Sequence, residues 1–264
     1  MPPTRRAAPT IGPVAALLLM PVSFALLALA GAMALGWGLA GLIATQLLGF
    51  ALPAWFAARR CGRAPAVLGL IRPPRRALVG GLLVAASFWY LSASLLVPLV
   101  EDWVTDREAE LLAEHVAGPE SIVFKLFALA LVPAVCEELL FRGAIARGLR
   151  GRIGLVGAAL LSAAYFALLH GSLARLPITF ALGIVLAVAT LRCGSLVPAI
   201  CIHACNNAAA VLLTWPPVGV RAGFLDEGAP VILPLAALAS AVGLVLLWRA
   251  GNEQIPYVSD ATSL

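Results

Sequence analysis

The chain has 264 residues, of which 62% are hydrophobic and 12% charged, and its mean hydropathy is +0.99. A water-soluble globule of this size cannot enclose so much apolar surface. The composition therefore excludes a soluble protein and predicts an all-α polytopic membrane protein. The net charge of +5 then reflects Lys and Arg residues that set the orientation of the chain in the membrane, and we expect no nucleic-acid partner.

Apolar stretches long enough to cross about 30 Å of hydrocarbon occur about eight times along the chain. The predicted spans lie near residues 11–31, 35–58, 77–100, 122–141, 154–170, 176–192, 195–215 and 229–248. A cytoplasmic N-terminus places 14 of the 18 Lys and Arg residues on the inner side, which is the usual bias. We expect both termini in the cytoplasm and, for this bacterial-looking chain, a location in the inner membrane.

The composition also divides the chain into three regions. Residues 1–76 hold two spans and a cytoplasmic linker rich in Arg, Pro and Gly, residues 77–250 form the remaining membrane core, and residues 251–264 are a polar tail. The outer loop 101–121 is strongly acidic. Within this loop, the spacing of apolar and acidic residues from Asp106 to His115 predicts a short surface helix.

Two adjacent carboxylates, Glu137 and Glu138, stand inside the fourth apolar stretch, where an unpaired charge is costly. Residues four apart share a helix face, so Glu138 can pair with Arg142, whereas Glu137 points about 100° away without a local cation. We therefore expect Glu137 to act as a general base and the Glu138–Arg142 pair to support it. A purely structural role for both glutamates is the alternative.

Depth in the membrane adds a constraint on the fourth span. A helix that ended just after Arg142 would leave Glu137 near the inner face, about half a membrane away from His170 on the next span. We therefore predict that the helix continues past Arg142 toward Leu149, so that Glu137 lies near mid-depth and Arg142 is buried against its carboxylate partner.

Two histidines, His170 and His203, each lie in an apolar segment. Phe166 shares a helix face with His170, and Asn207 shares one with His203, with Asn206 as a less well aligned competitor. Together these side chains can catalyse the attack of water on an acyl carbon. The carboxylate is the base, one imidazole relays its proton, and the other imidazole and the amide donate hydrogen bonds to the oxyanion. The expected active site lies inside the helix bundle.

Metal binding is the alternative use of the same side chains. Glu137, His170 and His203 could supply the oxygen and two nitrogens of a catalytic zinc site. The HExxH pattern is absent from the sequence, so we favour a site without a cofactor and keep zinc as the alternative. Cys201 and Cys205 flank one histidine, but on a helix both thiols point about 160° away from it.

Three short motifs, in order, resemble those of the CPBP family, the CAAX-processing type II proteases and bacteriocin-processing enzymes. The family's EExxxR, FxxxH and HxxxN patterns correspond to residues 137–142, 166–170 and 203–207. The resemblance covers roughly residues 120–215, with each motif on its own predicted span.

The resemblance implies an intramembrane protease in which Glu137 activates the attacking water with His170. It also implies that His203 and Asn207 stabilise the oxyanion, and that the ion pair next to the base supports the site. The expected substrate is a membrane-anchored protein or peptide, cut near its C-terminus within or at the lipid bilayer.

Two other functions use intramembrane Glu and His residues. A proton-coupled transporter would use them as a relay, and a catalytically silent membrane scaffold or immunity protein would use them to hold helices together. The sequence shows no internal repeat of the kind common in transporters. The grouping of acids and bases into an acyl-transfer set favours the hydrolase.

Overall fold

The computed structural model describes residues 10–34, 36–99, 107–172, 175–215 and 229–251, and these residues form helices and their connections without a strand. The α-helices are α1 (Pro13–Met33), α2 (Gly38–Gln46), α3 (Leu52–Arg59), α4 (Ala64–Leu68), α5 (Arg75–Leu95), α6 (Arg107–Ala117), α7 (Ile122–Leu126), α8 (Val132–Glu138), α9 (Arg147–Leu169), α10 (Leu176–Cys193), α11 (Val197–Thr214) and α12 (Ala229–Ala250). Three π-helical segments join neighbouring helices, at Leu47–Ala51, Phe127–Leu131 and Leu139–Ala146.

Six helical stretches among the described residues are long and apolar enough to cross a membrane. They are Pro13–Met33, Gly38–Arg59, Arg75–Leu99, Leu176–Cys193, Val197–Thr214 and Pro230–Ala250. These stretches coincide with six of the eight predicted spans and confirm the all-α polytopic membrane fold. The predicted spans 122–141 and 154–170 are helical but are not among the six. The first carries several charged side chains, and the second begins only after a backbone break at Gly154.

The helical stretch that starts at Ile122 is continuous through two of the π-helical segments. Its backbone keeps helical torsion angles across the junctions of α7, α8 and α9. The non-helical residue inside α9 is Gly154, with φ 73° and ψ −179°. The prediction that the helix continues past Arg142 to Leu149 is therefore confirmed. The π-helical segment Leu139–Ala146 carries Arg142, and such segments often occur at functional sites.

Small residues bring α5 and α12 into close contact. A Cβ added at Gly80 would lie 2.6 Å from the carbonyl oxygen of Gly243, so the two backbones touch there. The hydroxyls of Ser87 and Ser240 are 2.7 Å apart in the same interface. This packing is typical of membrane helices, whose apolar side chains gain nothing by leaving lipid for another apolar surface.

The N-terminal helices pack against the segment that carries the two glutamates. Helix α1 contacts α9, α2 contacts α8, and Ser23 and Tyr165 lie within hydrogen-bonding distance, 3.2 Å apart. The proposed boundary at residue 76 stays a prediction, although the first two spans are in contact with the core that follows them. Residues 1–9 and the polar tail from residue 252 lie outside the described residues.

Helix α6 confirms the short helix predicted in the acidic loop 101–121, with residues 100–106 outside the described residues. Its C-terminal end is held by Lys125 of α7. The ammonium group of Lys125 is buried and donates to the carbonyl oxygens of Val116 and Gly118, across 2.7 and 2.6 Å. A lysine at the end of a helix satisfies carbonyl groups that have no partner within the helix.

Candidate active site

An ion pair lies at the centre of the bundle. Arg142 Nη1 donates to Glu138 Oε1 across 2.7 Å, and neither side chain is exposed. Arg142 Nη2 donates to the carbonyl oxygen of Gly183 on α10, and the guanidinium carbon lies 4.4 Å from the ring centroid of Phe166. The predicted Glu138–Arg142 contact is confirmed. Burying both charges is tolerable because each has a hydrogen-bonded partner of opposite charge.

Helix α11 adds His203, whose ring lies between the two carboxylates. His203 Nδ1 lies 3.0 Å from Glu138 Oε1, and Nε2 lies 3.7 Å from Glu137 Oε2. Since the Glu138 oxygen already accepts from Arg142 as a carboxylate, Nδ1 carries the proton and donates it to this oxygen. The buried ion pair therefore fixes the tautomer and the orientation of this ring.

Glu137 receives a second polar contact from the N-terminal part of the chain. Gln46, the last residue of α2, donates from Nε2 to Glu137 Oε1 across 2.9 Å. Gln46 is not among the site residues predicted from the sequence. A signal was present, because Thr45 and Gln46 are the only polar residues in the apolar stretch 39–58, and an amide inside the membrane requires a partner.

Glu137 and His170 line the same cavity, which has a volume of about 170 Å³. Its wall consists of Leu27, Gln46, Phe50, Glu137, Phe141, Leu169 and His170. Water takes about 30 Å³ per molecule in the liquid, and polar groups in the wall give it hydrogen-bonding partners. The cavity can thus hold several waters next to the carboxylate.

His170 is oriented by its own helix. Its Nδ1 donates to the carbonyl oxygen of Phe166 across 2.8 Å, and a carbonyl can only accept, so in the neutral ring Nε2 is an acceptor. The ring of Phe166 lies edge-on to both imidazoles, with centroid distances of 4.7 Å to His170 and 5.6 Å to His203. The predicted aromatic neighbour of His170 is confirmed.

Asn207 is on the same helix as His203 but is not among the residues that line the cavity. Its amide oxygen accepts from Asn206 Nδ2 at 3.5 Å. The role of Asn207 at an oxyanion stays a prediction. Cys205 is exposed whereas His203 is buried, as expected for residues on different faces of the helix.

A zinc site would need three ligand side chains close to one another. Within the described ranges, no three His, Cys, Asp or Glu side chains are grouped so that they could hold one metal ion. The choice between a site without a cofactor and a zinc site at Glu137, His170 and His203 stays a prediction.

The central part of the chain is similar to a known family. Residues 119–209, about a third of the chain, match the family described as type II CAAX prenyl endopeptidase Rce1-like. The match includes Glu137, His170 and His203, and leaves Gln46 outside. No curated protein and no solved structure matches the chain. The segment 119–209, which carries all three motifs, is therefore similar to the Rce1-like family of type II CAAX prenyl endopeptidases.

Proposed function

We propose that this protein is an intramembrane protease that hydrolyses a peptide bond near the C-terminus of a membrane-associated protein or peptide, with a water molecule activated by Glu137. The observation that carries the proposal is the shared cavity of Glu137 and His170, with His203 in contact with the same carboxylate. A general base must lie within reach of the proton that it removes, and both groups border the space where water would be.

In the proposed reaction, Glu137 takes a proton from water while the water oxygen forms a bond to the scissile carbonyl carbon. His170 Nε2 accepts a hydrogen bond from the same water. The carbon–nitrogen bond then breaks, and the proton held by Glu137 passes to the leaving amine. His203 and Asn207 would donate to the oxyanion. His203 can do so from Nε2 only when its ring carries both protons, because Nδ1–H is engaged with Glu138.

The charges of the cluster suit a proton transfer. Glu137 and Glu138 face a single buried guanidinium, that of Arg142, so one further proton on Glu137 or His203 would make the group neutral. A cluster in a poorly hydrated setting is most stable when its charges balance. The proton taken from water therefore has two neighbouring places to reside until the amine leaves.

The substrate class follows from the family and from the walls of the cavity. Enzymes of the matched family are described as prenyl endopeptidases, and the cavity wall here contains Leu27, Phe50, Phe141 and Leu169. We propose a substrate held in the bilayer by a lipid or an apolar segment, and an enzyme in the bacterial inner membrane with both termini in the cytoplasm.

The test compares the wild type with Glu137→Gln in proteoliposomes supplied with membrane proteins from cells that lack this enzyme. Mass spectrometry then records shortened C-termini over time. We expect Glu137→Gln to slow their appearance by about 10²- to 10⁴-fold, the usual contribution of a general base. The exposed Glu114 on α6 provides a matched control, and Glu114→Gln should cleave at the wild-type rate.

Two outcomes of this experiment would reject the proposal. Normal cleavage by a folded Glu137→Gln variant would remove the glutamate from the mechanism. Absence of cleavage by the wild type, for both these membrane proteins and a farnesylated CAAX peptide, would favour a transporter or a scaffold. A chelator adds a further arm. We expect activity to survive it, whereas loss that added zinc restores would show a metal-dependent protease.

A further inference from the structure

Gln46 joins the N-terminal helices to the proposed base, although it lies outside the family match. Its amide nitrogen donates to Glu137 Oε1 across 2.9 Å, and its side chain lines the cavity. Its amide oxygen is buried and has no hydrogen-bond partner among the described residues. The amide therefore holds the carboxylate through its nitrogen, while its oxygen is buried without a partner.

The contact is part of a wider match between two helix faces. Gln46 and Phe50 are four residues apart, as are Glu137 and Phe141, and all four side chains line the cavity. The amide faces the carboxylate, and the ring centroids of Phe50 and Phe141 are 5.8 Å apart. Since residues four apart share a helix face, the aromatic contact and the hydrogen bond fix the same relative position of the two helices.

An amide donor suits a carboxylate that must act as a base. It restricts the rotation of the Glu137 side chain without pairing the carboxylate with a full positive charge, so the group keeps its ability to take a proton. With Oε1 engaged by Gln46, the second oxygen, Oε2, faces His203 at 3.7 Å. The amide therefore selects which carboxylate oxygen receives the proton from water.

We propose that Gln46 is a positioning residue that orients Glu137 for proton transfer, and that the first two spans are thereby part of the active site. This inference rests on the proposed function, because it assigns Gln46 a role through the base. Displacing a catalytic group by about 1 Å typically slows a reaction by about 100-fold.

The experiment measures the rate of C-terminal shortening in proteoliposomes, over a range of concentrations of the same extracted membrane proteins. In Gln46→Leu we expect kcat to fall by about 10- to 100-fold with little change in KM, because the substrate contacts remain and the base is misplaced. Thr45→Val is the matched control. Thr45 donates to Gly41 of its own helix, so its loss changes the same span without touching Glu137.

Gln46→Glu tests the donor itself. Two adjacent carboxyl groups share a proton readily, so the new side chain donates to Glu137 only while the pair retains that proton. As the pH is raised, we therefore expect the cleavage rate of Gln46→Glu to begin to fall at a lower pH than the cleavage rate of the wild type. The other charged or titratable groups around Glu137 are the same in all variants, namely Cys136, Glu138, Arg142, His170 and His203.

The outcomes separate the two proposals. Wild-type kcat and an unchanged pH profile in the Gln46 variants, with Glu137→Gln inactive, would overturn the role of Gln46 and leave the base in place. An active Glu137→Gln would instead overturn the proposed function. A loss in Gln46→Leu that is matched by Thr45→Val, or by a lower unfolding temperature in detergent, would show a purely structural contribution and would also reject the inference.

Discussion

Arg142 and Glu138 are four residues apart on one helix and form a hydrogen-bonded ion pair that has no solvent exposure. The Glu138 oxygen that accepts from Arg142 also accepts from His203, and the guanidinium reaches a backbone carbonyl of α10 through its other amino group. One arginine thus connects the helix of the proposed base with α10 and, through Glu138, with α11. The two residues are close in sequence, but the contacts that their ion pair makes join three helices.

The first prediction concerns Arg142→Leu. Removing the guanidinium leaves Glu138 buried without its cation, which typically costs about 3–5 kcal/mol in the free energy of unfolding. Denaturant titration in detergent micelles measures the change. Arg152→Leu is the matched control, since Arg152 is exposed and its replacement should change the free energy of unfolding by about 0.5 kcal/mol or less.

The double variant Glu138→Leu with Arg142→Leu adds a sharper test. It removes both charges, so we expect it to be less destabilised than Arg142→Leu alone. Equal stability of Arg142→Leu and Arg152→Leu would show that the buried pair does not hold the bundle together.

The second prediction concerns the close approach of α9 and α10. A Cβ added at Gly183 would lie 2.9 Å from both Cα and Cβ of Ala163, so Gly183→Ala must push the helices apart. Overpacking of this kind costs about 1–3 kcal/mol, and the displacement of α10 would also weaken the hydrogen bond from Arg142 to the backbone carbonyl of residue 183. The thermal unfolding temperature and the rate of cleavage should both be lower than in the wild type.

Gly151→Ala provides the opposite control for Gly183→Ala. Gly151 is helical, and an added Cβ there meets nothing within 4 Å. Replacing a helical glycine in open space by alanine should stabilise the protein by about 0.5–1 kcal/mol. A Gly183→Ala protein as stable as Gly151→Ala would contradict the close packing of α9 and α10.

The third prediction separates the two neighbouring asparagines on α11. If Asn207 donates to the oxyanion, Asn207→Ala should lower kcat by about 10²- to 10³-fold, because a donor that acts only in the transition state is lost. Asn206→Ala is the matched control and should lower kcat by much less. The reverse order, measured on the same substrate proteins, would transfer the role to Asn206.

The fourth prediction concerns Lys125, which holds the end of α6 through two backbone carbonyls. Lys125→Met removes both hydrogen bonds, each of the charge-assisted kind, so the end of α6 should open more often. We expect hydrogen exchange of residues 110–118 to speed up by about tenfold or more. Val123→Thr changes an exposed residue on the same helix and should leave the exchange unchanged.

Local spacing was enough to predict contacts within one helix. The pairing of Glu138 with Arg142 and the aromatic neighbour of His170 follow from residues four apart, and both are present in the structure. The continuation of the helix beyond Arg142 was also predictable, from the depth in the membrane that Glu137 needs in order to reach His170. Such predictions succeed because the geometry of a helix relates neighbouring positions without reference to the rest of the fold.

Contacts between helices were harder to predict, as Gln46 and His203 show. The spacing of four residues placed His203 and Asn207 on one helix face, but it gave no sign that the His203 ring lies between Glu137 and Glu138. Gln46 was not predicted at all. Both contacts depend on how far one helix is rotated and shifted along another, which spacing within a single span does not specify.

By itself, the sequence determined the membrane class, the positions of six apolar spans that the structure confirms, and the group of acids and imidazoles from which the site is built. Only the tertiary structure decided which faces of those spans meet, and hence that Gln46 reaches Glu137 across the cavity. The physical reason is the solvent. Lipid is as apolar as the side chains facing it, so hydrophobicity specifies that a helix crosses the membrane, while close packing of small residues and buried hydrogen bonds specify its partners.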